Sequence, residues 1–88
     1  MAEILIEKTG ANQYLVSVRD RTQTTHEVTL HDADYRRLTG ESVSPEQLIE
    51  RSFEFLLQRE PNTSILTRFD LMEIGRYFPE YERAVKSG

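Results

Sequence analysis

The chain has no cysteine, no apolar run near membrane-spanning length, no clustered glycines and no excess of basic charge. Without cysteine there is no disulfide, no thiolate metal site and no cysteine nucleophile, and a reducing compartment fits. Met1-Ala2-Glu3-Ile4 lacks the basic start and apolar core of a secretory leader, and no stretch approaches the ~20 apolar residues that span a bilayer. The expectation is therefore a cytoplasmic protein with no membrane partner. Gly10, Gly40, Gly75 and Gly88 are scattered, so no glycine-rich loop is available to cradle a phosphate, and no cofactor is expected. The 15 acidic residues outnumber the 11 basic ones, for a formal charge of -4, which opposes the phosphate contacts behind non-specific nucleic-acid affinity. The excess is concentrated between residues 32 and 60, where Asp32, Asp34, Glu41, Glu46, Glu50, Glu54 and Glu60 face only Arg36, Arg37, Arg51 and Arg59.

What is present is an ordinary globular composition, 38% hydrophobic and 30% charged over 88 residues, enough for one domain and too little for two. Residues 3–8, 13–19 and 25–31 read as strands separated by the turn residues Gly10-Ala11-Asn12 and Asp20-Arg21-Thr22-Gln23. Alternation sends Tyr14, Val16 and Val18 to the core with Ile4, Ile6, Val28 and Leu30, and leaves Leu5 and Leu15 on the other face. Asp32 is placed to cap a short helix over 33–39, which Gly40 ends in a left-handed conformation.

The clearest local signal is Ser44-Pro45-Glu46-Gln47. Ser44 accepts a bond from the first turn, Pro45 fills a position whose N–H would be orphaned, and Gln47 reaches back to complete a capping box. The helix this opens runs from 45 to 60 and is stopped by Pro61. Its apolar arc, with Ile49, Ser52 and Leu56 at the centre, Leu48 and Phe55 on one flank and Phe53 and Leu57 on the other, is roughly 200° wide, so it must be covered from two sides. Residues 62–68 read as an irregular connector. Asp70 with Glu73 signals another cap, and Leu71, Ile74, Phe78, Tyr81 and Val85 make a helical stripe over 71–86 that Pro79 must kink or break. The expected fold is α+β: a three-stranded antiparallel meander packed against the capped helix and the C-terminal helical segment.

Residues that could carry chemistry have ordinary structural explanations. On a strand, the five-residue separation of His26 and His31 puts them on opposite faces, so with Asp32 and Asp34 they do not make a metal site, and both read as sheet-edge residues. Glu50 and Glu54 lie on a solvated face beside Arg51 and Gln58. Ser52 faces the apolar stripe with no histidine in register, as a hydroxyl that bonds back to its own helix does. No catalytic residue, metal ligand or small-molecule site is assigned. Tyr77, at the margin of the C-terminal stripe beside Phe55 or Leu57, is an interface candidate because tyrosine offers a rigid apolar body with a polar tip. With Leu5 and Leu15 it defines a candidate partner surface of Leu5, Leu15, Phe55, Leu57 and Tyr77.

Two resemblances add to this. The pattern Ser52-Phe53-Glu54-Phe55-Leu56-Leu57, Arg59-Glu60-Pro61, Ile65-Leu66, Phe69-Asp70-Leu71 and Tyr77-Phe78-Pro79-Glu80-Tyr81-Glu82 resembles a family of small uncharacterised bacterial proteins, which implies a bacterial cytoplasmic setting but no activity and no site residues. Val28-Thr29-Leu30, Asp32 to Leu38 and the helix from Ser44 are similar to the strand-helix-helix order of ribbon-helix-helix repressors and antitoxins. That resemblance implies a dimer whose strands pair across a two-fold axis and read the major groove, with Glu27, Thr29 and His31 as the contacts. The expectation carried forward is a small non-enzymatic interaction or regulatory module, with a protein partner or a second copy as its target. The alternative is the dimeric DNA-binding regulator.

Overall fold

A computed structural model describes residues 2–87, in which alternating strands and tight turns build β1 (Glu3–Lys8), β2 (Gln13–Arg19) and β3 (Gln23–Thr29) as an antiparallel meander. Met1 and Gly88, touched by the leader and glycine readings above, lie outside the described residues. Ile4 lies opposite Val18, Ile6 opposite Val16, and Tyr14 opposite Val28, so one face of the sheet is apolar by register. Tyr14, Val16, Val18, Val28 and Leu30 are buried there, with Ile4 and Ile6 packed at the edge. The third strand begins two residues earlier than the sequence predicts, because the second turn is tight enough for Gln23 to pair with Arg19 and for Asp20 N–H to reach the Thr22 carbonyl at 3.2 Å.

The sheet has a fourth member. β4 (Arg68–Asp70) lies parallel to β3, giving the order β1-β2-β3-β4, so the expected meander is three quarters of a mixed sheet. β1 forms one edge. The helices cover the apolar face, and the face carrying Leu5, Ser17 and Thr25 stays open.

Helix α1 (Asp32–Thr39) is capped by the extended backbone of His31, whose carbonyl accepts from Tyr35 N–H at 3.0 Å, and not by the Asp32 side chain. Asp32 is already helical and pairs with Arg36 one turn on, at 3.0 Å. Gly40 ends the helix at φ 60°, where a side chain would be strained. Helix α2 (Pro45–Leu57) starts with the full capping box, Ser44 to Gln47 and back. It closes three residues before the expected boundary: Pro61 disfavours helical geometry at Glu60, and the chain unwinds with Arg59 and Glu60 N–H both bonded to the Leu56 carbonyl.

Residues 62–70 are more ordered than an irregular connector. They hold a 3₁₀ turn (Asn62–Ser64) and then β4. The capping box at Asp70 and Glu73 opens a 3₁₀ turn (Leu71–Glu73) that runs into α3 (Ile74–Tyr77). Pro79 breaks the C-terminal stripe as its ring chemistry requires, pushing Phe78 to φ -129°, ψ 90°, and α4 (Tyr81–Ser87) resumes after it.

α4 supplies the second cover that α2 needs. The Ser52 hydroxyl, fully buried in α2, donates to the Leu48 carbonyl at 2.7 Å and accepts from the Tyr81 hydroxyl at 2.6 Å. Arg37 of α1 clamps Glu82 with two bonds of 2.8 and 3.2 Å, and Arg59 meets Glu80 at 3.2 Å. The Arg37 bonds hold the Glu82 carboxyl below the usual carboxylate range. Burial pushes the Tyr81 phenol far above its ordinary value despite the opposing Ser52 bond.

Two outcomes follow for this contact. Ser52→Ala leaves the Tyr81 hydroxyl buried without an acceptor and is expected to cost about 2 kcal/mol, whereas Tyr81→Phe removes that hydroxyl and costs about 1 kcal/mol. Urea unfolding should place the double variant below the sum of the two. Because the folded pKa of Tyr81 is raised, the unfolded chain releases this proton first: stability is intact below about pH 10 and falls as pH climbs toward the folded value. Tyr81→Phe should flatten that alkaline loss.

Candidate functional site

A groove of about 270 Å³ opens where the end of α2, the connector, β4 and α3 meet. Its floor is apolar because each element turns one side chain inward there: Leu56 from α2, Ile65 after the 3₁₀ turn, Phe69 from β4 and Ile74 from α3, all buried, with Phe78 half-buried beside them. Leu66 and Tyr77 stand at its rim, 47% and 67% exposed, and with Leu5 they are the large hydrophobics left exposed among the described residues. Glu60 and Glu73 line it half-buried, and no arginine, lysine or histidine does. One Glu73 oxygen is engaged, accepting from Asp70 N–H at 2.9 Å.

The connector wall is held by a buried polar chain. Asn62 donates its amide to the Thr22 carbonyl at 2.8 Å and to the Thr24 hydroxyl at 3.0 Å. Thr24 meets His26 Nε2 at 2.9 Å, and His26 Nδ1 meets the Leu66 carbonyl at 2.7 Å. A carbonyl only accepts, so Nδ1 carries the proton and Nε2 accepts from Thr24. Each group donates in turn, which satisfies a histidine that is 1% exposed with its ring centroid 5.4 Å from that of Phe53. Next to it the Thr67 carbonyl accepts from Glu27 N–H at 2.8 Å, so the connector is fastened to β3 at consecutive carbonyls.

The structure separates the residues the sequence grouped as a partner surface. Leu5 is exposed and Leu15 half-buried on the open sheet face, diagonal to each other, since Leu5 lies opposite Ser17. Phe55 belongs to the core: it is edge-on to Phe78 and Tyr81 at 5.9 and 5.5 Å, and the Arg59 guanidinium covers its ring at 3.6 Å. Leu57 is half-buried on α2, and of the five only Tyr77 reaches the groove. Leu66 was not anticipated. Its signal was the pair Ile65-Leu66 in an extended segment, where burying one side chain turns its neighbour outward.

The DNA-contact candidates are occupied within the chain. Glu27 accepts from Arg68 at 2.7 and 2.9 Å, Thr29 accepts from Gln13 at 3.0 Å, and His31 lies 3.3 Å from Asp70. The two-fold ribbon requires a free edge at 25–31, but β3 has β2 on one side and β4 on the other over Glu27–Thr29. Nor are both histidines edge residues: His26 is core and His31 exposed. Its parity with Val28 and Leu30 was the available clue. Among the described residues no three histidine, cysteine, aspartate or glutamate side chains converge as metal ligands, and no helix is long and apolar enough to cross a membrane.

No family model matches the chain, and no curated protein or solved structure is similar to it at a meaningful level.

His26→Ala should cost about 2–4 kcal/mol, combining a cavity beside Phe53 with an unpaired Leu66 carbonyl. His26→Phe keeps the ring volume and loses the bonds. In both variants amide exchange at Glu27 should speed up relative to α2, because the connector loses its anchor.

Proposed function

We propose that this chain is a small non-enzymatic interaction module that docks a protein partner on the groove between α2, the connector and α3. The observation that carries the reading is the convergence of Leu66 and Tyr77, two of the three large apolar side chains exposed among the described residues, on one apolar hollow. Scattered exposed hydrophobics are normal, but a pair flanking a preformed groove has the form of an interface anchor site. Small-molecule pockets run from roughly 300 to 1,000 Å³, so a groove of about 270 Å³ has room for one or two side chains and little for a cofactor. The two buried side chains with nucleophilic or basic chemistry have structural tasks: Ser52 bonds Leu48 and Tyr81, and His26 bonds Thr24 and Leu66. A bacterial cytoplasmic setting belongs to the same proposal, supported by the lack of cysteine.

A photo-reactive benzophenone side chain placed at position 77, and separately at position 25 on the open sheet face, tests the reading in cells. Adducts formed from position 77 and absent from position 25 are the expected outcome, and they should disappear with Leu66→Ser. Identical adducts at both positions, or none at 77, would overturn it. Light scattering on the purified chain then shows whether the partner is a second copy, since a monomer has a mass of 10.3 kDa.

A further inference from the structure

We infer that the groove is selective for a protein segment that carries a large apolar side chain next to lysine or arginine. This rests on the docking reading above and adds the chemistry of the occupant. The floor, Leu56, Ile65, Phe69 and Ile74, accepts the apolar side chain. The rim decides its neighbours. Glu60 and Glu73 are half-buried, form no ion pair with a basic side chain among the described residues, and lie on the groove that an occupant would cover. Covering them strips water from two carboxylates, which is costly unless the occupant brings cations to the same place.

Elsewhere the chain neutralises carboxylates near its packed surfaces with arginine: Glu27 by Arg68, Glu80 by Arg59 and Glu82 by Arg37. At the groove it leaves them open. The Tyr77 ring, 67% exposed, offers a face for a guanidinium or ammonium group. Complementarity of this kind selects partners more than it adds raw affinity, and an acidic segment of equal apolar content is refused. The chain's own exposed aliphatic in a strand, Leu5, sits between Glu3 and Glu7 and would bring like charge to this rim.

Two capped synthetic peptides, Lys-Leu-Phe-Lys and Glu-Leu-Phe-Glu, titrated into isotopically labelled protein at low salt, test this by amide shift perturbation. The basic peptide should move Ile65, Leu66 and Tyr77 saturably and bind about five-fold or more tightly than the acidic one, with the gap closing at high salt. In the variant Glu60→Gln with Glu73→Gln the two peptides should bind about equally; glutamine at 73 still completes the capping box, so the fold is kept. Equal binding of both peptides at the groove of the unaltered protein would overturn the charge selectivity and leave the docking reading standing. Perturbation confined to the sheet face, or none at either peptide's highest concentration, would overturn both. Doubling of the molar mass that Tyr77→Ser abolishes would make a second copy the occupant and overturn the inference.

Discussion

Helix α2 carries the buried Leu48, Ile49, Phe53, Phe55 and Leu56 and the half-buried Leu57 over roughly 200° of its circumference. No single surface dries an arc that wide, so the sheet takes one side and α4 the other. The second contact is specified by a hydroxyl pair as well as by shape. Ser52 and Tyr81 satisfy each other only if α4 sits at one height along α2, and Arg37 and Arg59 then hold the adjoining glutamates. Among the described residues no buried side-chain nitrogen or oxygen lacks a partner, so this polar element fixes register without a desolvation penalty left open.

Features with a local cause were legible in the sequence. The capping boxes at Ser44 and Asp70, the left-handed stop at Gly40 and the break at Pro79 are each set by side chains within four residues of the backbone they act on, and tertiary context had little chance to override them. The apolar alternation of β2 was equally readable. β4 was not, because three residues are too few to show a period, and its pairing depends on β3, some forty residues away. His26 and Asn62 were missed for the same reason: their partners, Leu66 and Thr22, lie 40 residues distant. The groove inherits this opacity, since its walls come from four elements and only Tyr77 announced itself as an aromatic at the edge of a stripe.

The connector that looked least structured therefore does most to shape the groove. Residues 62–67 are placed by bonds to β3 and the turn before it: the Asn62 amide on Thr22 and Thr24, the His26 ring on the Leu66 carbonyl and the Glu27 N–H on the Thr67 carbonyl. A loop fixed in this way is rigid where its carbonyls are gripped and free to present the side chains between, which suits a preformed anchor site better than a mobile one. It also ties the site's integrity to the sheet, so that loosening β3 and losing the groove are one event.

β1 leaves a row of backbone donors and acceptors unpaired at the sheet's edge, with the exposed Leu5 at its centre. Two copies meeting there about Leu5, with both sheets continuous, would set Glu3 of each strand against Glu7 of the other. Side chains directly opposite in an antiparallel pair are close enough for like charges to repel. The two glutamates thus stand as gatekeepers on an open edge, opposing the one antiparallel register that would centre on Leu5 and template a runaway sheet.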